Sequence, residues 1–283
     1  MRMRIIIAAA LLAAAALIAV LLLDGEEEKA QGKVVAGFYP VAFAAEQVAG
    51  PETDVVNLTP PGVEPHDLEL SPDDVRQLSS ADTVLLLGRD FQPQLERAAR
   101  SNDGVIELLD SPELSTAGDD PHVWLDPVRY AQLVERIGQA LDAPEAAERL
   151  AARVRGLDEE YRSGLESCER HEIVTSHAAF GYLAARYGLD QIAITGLSPE
   201  AEAAPQDLEL VVQQIRETGA TTVYSETLVS PKLARAVARE TGARTDVLDP
   251  IEGLTQKSLD AGADYFSVMR DNLRRLKRGL GCR

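Results

Sequence analysis

The chain has 283 residues, enough for two compact domains or one large one. With 45% hydrophobic and 26% charged residues it has the composition of an ordinary globular protein. A formal net charge of −18 excludes a nucleic-acid partner, since no basic surface is available to neutralise phosphates; it leaves solubility and a mild attraction for cations.

Arg2 and Arg4 precede an uncharged run from Ile5 to Leu23, which breaks at Asp24-Gly25-Glu26-Glu27-Glu28. A basic start followed by an apolar core is the build of an export signal, and the run is nearly long enough to span a bilayer. Residues 1–32 are therefore read as a signal sequence, with Ala30 a weak cleavage position, or as an uncleaved N-terminal membrane anchor. Both place the folded part outside the cytoplasm, in the periplasm or at the cell surface, and the terminal arginines favour that orientation. No Cys stands near the end of the run, so lipid attachment through a lipobox Cys is not expected.

Downstream, apolar strand-like runs alternate with amphipathic helical patterns. Strands are predicted at Lys33–Phe38, Asp54–Leu58, Thr83–Leu87 and Gly104–Leu108. A second series follows at Glu172–Thr175, Gln191–Ile194, Thr221–Tyr224 and Ala243–Leu248. Ser71-Pro72, Asp126-Pro127 and Ser230-Pro231 each offer an N-cap oxygen followed by Pro at the first helical position. Strands alternating with helices predict an α/β fold, here two lobes, each a mostly parallel four-stranded sheet flanked by helices.

Between the two series lie helical stretches over Asp126–Leu141 and Pro144–Cys168. In the second, Leu150, Val154, Leu157, Tyr161, Leu165 and Cys168 fall on one face. That helix would be about 37 Å long. Gly156 and Gly164 each weaken it by up to ~1 kcal/mol, so packing must hold it. The expected organisation is an N-terminal lobe over 33–143, a rigid backbone helix over 144–170 and a C-terminal lobe over 171–283. Cys168 and Cys282 are the two cysteines, and in an exported chain they are compatible with one disulfide. Closing so long a loop stabilises by roughly 4–5 kcal/mol in the chain-entropy model; the alternative is two free thiols.

Only four His occur, and three share one kind of address. His66 follows the Asp54–Leu58 strand, His122 follows Gly104–Leu108, and His177 follows Glu172–Thr175. His171 lies at the opposite end of its strand and is read as a surface residue. Open parallel sheets bind ligands beyond the carboxyl ends of their strands. Asp249, just after the last strand, has the same address. Three imidazoles and one carboxylate, two donors per lobe, suit Zn²⁺, whereas Mn²⁺ favours more oxygen. A lone His after a strand also serves as a cap, and Asp249-Pro250 is also an ordinary turn signal; the coincidence of location is what joins the four.

The segments Gly62-Val63-Glu64-Pro65-His66, Asp120-Pro121-His122-Val123-Trp124-Leu125-Asp126-Pro127 and Thr175-Ser176-His177-Ala178-Ala179-Phe180-Gly181-Tyr182-Leu183 carry a resemblance. They resemble the His-bearing motifs of the zinc/manganese-type substrate-binding proteins of bacterial ABC importers, the ZnuA/TroA-like group. Val247-Leu248-Asp249-Pro250 resembles its fourth-ligand position, and the similarity runs in order over most of 33–275. The resemblance implies His66, His122, His177 and Asp249 as metal ligands, and a monomeric receptor that hands its ion to a membrane permease. Manganese-type members tend to carry Glu where this chain has His177, which favours zinc and keeps manganese as the alternative. Many zinc-type members have a long His- and acid-rich loop before the second motif; this chain has only Ser111–Asp120 there, with no extra His.

Glu64 and Glu226 are candidates to orient the imidazoles, because metal-bound His donates its other nitrogen to such groups. Trp124 and Phe180 are candidates for an apolar wall. A zinc hydrolase is disfavoured, since neither His-Glu-x-x-His nor Gly-x-Ser-x-Gly occurs. A surface adhesin or metal buffer without a transporter would differ in partner alone.

Overall fold

The computed structural model describes residues 32–51, 53–114, 118–201 and 203–283; the signal or anchor expected over 1–32 lies almost wholly outside them. The first half alternates β1 (Lys33–Ala36), α1 (Tyr39–Ala49), β2 (Asp54–Asn57), α2 (Pro72–Ser79), β3 (Thr83–Leu86), α3 (Pro93–Ala99) and β4 (Val105–Glu107). Two long helices follow, α4 (Pro127–Ala140) and α5 (Pro144–Leu165). The second half runs β5 (Glu172–Thr175), α6 (Gly181–Tyr187), β6 (Asp190–Ala193), α7 (Pro205–Thr218), β7 (Thr222–Ser225), α8 (Lys232–Thr241) and β8 (Arg244–Val247). It ends with α9 (Gln256–Asp260) and α10 (Tyr265–Leu280).

All pairings are parallel, in the order β2-β1-β3-β4 in one sheet and β6-β5-β7-β8 in the other. The strands are short and the helices start on strong local signals. Ser71 forms a capping box with Asp74 at α2, and the Asp126 carboxylate accepts from Val128 and Arg129 at α4. Parallel strands joined by helical crossovers leave all strand carboxyl ends on one side of each sheet, and there the loops gather.

The expected backbone helix is α5. It buries Leu150, Val154, Leu157, Tyr161 and Leu165 along the face that periodicity marks. Gly138 of α4 lets the two helices approach closely, since a Cβ there would collide with Ala147. One apolar core runs through both lobes: it contains Phe38, Leu85, Trp124 and Tyr130 from the first, Leu157 and Tyr161 from α5, and Phe180, Leu248 and Tyr265 from the second. Smaller clusters cover the outer faces of the two sheets. Helix α10 ties the halves together: Tyr265 packs on Tyr130 with ring centroids 4.2 Å apart, and the end of α10 brings Gly279 against Tyr224 and Thr222. A Cys168–Cys282 disulfide joins the end of the α5 segment to the C-terminus. No helix among the described residues is long and apolar enough to cross a membrane.

Candidate metal centre

Four loops at strand carboxyl ends bring His66, His122, His177 and Glu252 together, with one donor atom from each within 4.8 Å of all the others. Glu252 Oε1 lies 3.3 Å from His66 Nε2, 3.1 Å from His122 Nε2 and 3.3 Å from His177 Nε2. The Nε2 atoms of His122 and His177 are 3.4 Å apart. A tetrahedral ion with bonds of about 2.0–2.1 Å separates its ligand atoms by about 3.3–3.4 Å, and these four of the six spacings are close to that edge length.

Asp249, expected as the fourth donor, is not part of the cluster; the carboxylate brought to the three histidines is that of Glu252. The Asp249 carboxylate is committed locally: Oδ2 accepts from the Thr227 hydroxyl and Oδ1 from the Ile251 amide at 2.8 Å. Its backbone is held by Asn272, which accepts from the Asp249 amide and donates to its carbonyl. Ile251 then adopts a left-handed conformation, φ 57°, rare for a β-branched residue. That turn redirects the chain so that the next side chain, Glu252, enters the cleft.

Each histidine is held by an acidic neighbour. The His177 ring donates through Nδ1 to Glu226 Oε1 at 2.7 Å, and the same oxygen accepts the His177 amide at 3.1 Å. His122 is held in the same way by Asp120 Oδ1, at 2.7 Å from Nδ1 and 2.9 Å from the amide. An ionised carboxylate only accepts, so Nδ1 carries a proton, and once the ring is neutral the Nε2 lone pair faces the centre. For His66, Glu64 Oε1 accepts the backbone amide at 3.1 Å. Its ring packs edge-on against Phe91, 4.6 Å away, while Gln92 donates to the Pro65 carbonyl. Trp124 borders His122 at 5.1 Å and donates from its indole to the Pro250 carbonyl. Phe180 lies in the shared core, and His171 is exposed.

These carboxylates govern the charge of the site. Burial pushes the His177 imidazole down, but hydrogen bonds and charge from Glu226 and Glu252 outweigh it and raise it to about 10. His122 is likewise raised against burial by Asp120 and Glu252. Burial alone would lift Glu252, yet its three histidine contacts hold it well below the usual carboxylate range. Glu64 is raised, first by burial and then by the Glu252 charge. Glu64 Oε2 and Glu252 Oε2 are both buried without a hydrogen-bond partner.

Sequence reasoning did not single out Glu252, which joins the cluster, or Asp120, which holds His122 as Glu226 holds His177. The signal for Glu252 was its isolation, a single charge within the run Pro250-Ile251-Glu252-Gly253-Leu254.

A family model described as zinc-uptake complex component A, periplasmic, matches residues 34–279. The zinc-binding lipoprotein AdcA of Streptococcus pneumoniae is 36% identical over 284 residues, covering 89% of this chain and 56% of that protein. The high-affinity zinc uptake system protein ZnuA of Bacillus subtilis is 32% identical over 277 residues, covering 87% of each. The chain thus spans about half the length of the AdcA relatives it matches and most of ZnuA. In structure it is similar to the Zn(II)-bound ZnuA-like domain of Streptococcus pneumoniae AdcA, with a TM-score of 0.75 at 36% identity over 88% of this chain and 99% of that one.

Proposed function

The chain belongs to the zinc-uptake complex component A family, and from that membership we propose that it captures one Zn²⁺ through His66, His122, His177 and Glu252. The observation that carries this reading is the set of 3.1–3.4 Å edges among the donor atoms. Four protein donors leave no open coordination position, which suits a receptor and gives a hydrolase nowhere to activate water. Three imidazoles with one carboxylate favour zinc over the oxygen-preferring Mn²⁺.

The same reading places the folded part outside the cytoplasm, held or exported by residues 1–32. There, as a monomer, the protein delivers its ion to the permease of an ABC importer. Residues 33–143 and 171–283 then act as the two metal-binding lobes, with 144–170 as the rigid element between them.

Stripping the purified chain of metal and titrating Zn²⁺ and Mn²⁺ against a chelator of known affinity tests the proposal. One Zn²⁺ per chain, bound far more tightly than Mn²⁺, is expected. A preference for Mn²⁺ would overturn the metal, and the lack of any tight site would overturn the receptor.

A further inference from the structure

His122 and His177 come from different lobes, yet their Nε2 atoms stand 3.4 Å apart. The His177 ring is fixed within its own lobe by Glu226, at the end of β7. Asp120, which grips His122, lies two residues before it in the same loop, so it orients the ring only as well as it is itself placed.

Helix α6 of the opposite lobe places it. The Asp120 carbonyl accepts the Tyr182 hydroxyl at 3.1 Å. Its carboxylate Oδ2 sits so close to Gly181 that a Cβ there would lie 2.9 Å from it. Four residues beyond His122, Asp126 receives the Arg186 guanidinium from the same helix. Arg186 also reaches Asp158 of α5 at 3.7 Å, and Tyr187 donates to that carboxylate at 3.1 Å, which seats α6 on the backbone helix. Since α6 begins four residues after His177, one short helix abuts the loops of both donors.

We propose that Asp120 is a positioning residue that registers the His122 loop against α6, and so sets the narrow His122–His177 separation on which a small tetrahedral ion depends. This rests on the reading of both histidines as zinc donors. Asp120 itself touches no metal. A Zn²⁺ ion with short bonds needs the narrow edge, whereas the larger Cd²⁺ accepts a wider one.

The test compares Asp120→Ala, Asp120→Asn and Tyr182→Phe with the unmodified full-length protein, reading Zn²⁺ and Cd²⁺ affinities by chelator competition and the visible spectrum of the Co²⁺ adduct. Asp120→Ala is expected to lose ~10–100-fold in Zn²⁺ affinity, the usual effect of removing a group that orients a ligand. Its loss for Cd²⁺ is smaller, and its tetrahedral Co²⁺ bands weaken. Asp120→Asn keeps the accepting oxygen and recovers most of the affinity. Tyr182→Phe, which leaves packing intact, loses about 2–10-fold, the worth of one neutral hydrogen bond, again more for Zn²⁺. Unchanged Zn²⁺ affinity in Asp120→Ala would overturn the proposal. So would equal losses for both ions with an unaltered Co²⁺ spectrum, the mark of a merely structural role. Lack of tetrahedral Co²⁺ bands in the unmodified protein would instead sink the zinc-site reading on which the proposal stands.

Discussion

The two lobes share a strand order but present their donors differently. His177 follows Thr175, the last residue of the inner strand β5, by two positions, whereas His66 follows Asn57, the last residue of the edge strand β2, by nine. The outcome is visible in their surroundings. The His177 side chain is fully buried with its ring locked on Glu226, while 10% of the His66 side chain remains exposed and its ring leans on Phe91. A donor beside a central strand inherits the rigidity of the sheet. A donor far along a loop depends on local props, here the Glu64 carboxylate on its amide and Gln92 on the preceding carbonyl.

The sharpest way to break this comparison is to delete one donor from each lobe. Zinc sites of four ligands bind with about 10–16 kcal/mol, so one ligand is worth about 2.5–4 kcal/mol, or ~10²–10³-fold. His177→Ala is expected at the upper end and His66→Ala at the lower, measured by chelator competition. Equal losses would mean that strand proximity confers no advantage.

The second test contrasts the two carboxylates of the last loop. Glu252→Gln is expected to cost ~10²-fold in Zn²⁺ affinity, as loss of a charged ligand. Asp249→Asn keeps one oxygen to accept from the Ile251 amide, while its NH2 group donates to the Thr227 hydroxyl oxygen, and leaves the affinity unchanged. An equal cost at Asp249 would restore it as a donor.

Protons offer a gentler probe. In the metal-free protein His177 is raised from its ordinary 6.5 to about 10. Its charged ring therefore stabilises the metal-free fold fully below about 6.5, a contribution lost as pH rises through about 10. Zn²⁺ needs the neutral ring, so binding near neutral pH releases protons, and the zinc-induced rise in Tm grows over the same window. Calorimetry in buffers of different ionisation enthalpy measures the released protons, and finding none would contradict the charged state of the metal-free site.

The smallest expected effect on the site comes from the disulfide. Reducing Cys168–Cys282 removes a constraint worth roughly 4–5 kcal/mol in the chain-entropy model, because it closes a loop of 114 residues. The urea midpoint should fall while Zn²⁺ affinity holds; a matching fall in affinity would couple the C-terminus to the metal.

The sequence made the architecture readable because its rules are local. Alternating apolar runs placed all eight strands in order, and the Ser71 and Asp126 caps marked helix starts that the structure contains. The convergence of the three histidines was readable for the same reason, since a parallel sheet fixes which strand ends face the cleft. Asp249 and Glu252 could not be ranked that way. Both follow β8, and the choice between them depends on the Asn272 bonds from a distant helix and on the left-handed turn at Ile251. Neither leaves a periodic trace. The role of Asp120 was hidden similarly, because its partners on α6 lie about sixty residues away in the chain.

The apolar core threading both lobes has a consequence for how such a protein changes over generations. Trp124, Tyr130, Tyr161, Phe180 and Tyr265 interlock irrespective of which half supplied them, and interiors packed this closely tolerate little mismatch in volume. Neither lobe is therefore an interchangeable module. A chimera that borrows one half from a relative imports a foreign half of the jigsaw, and is expected to pack less well than either parent.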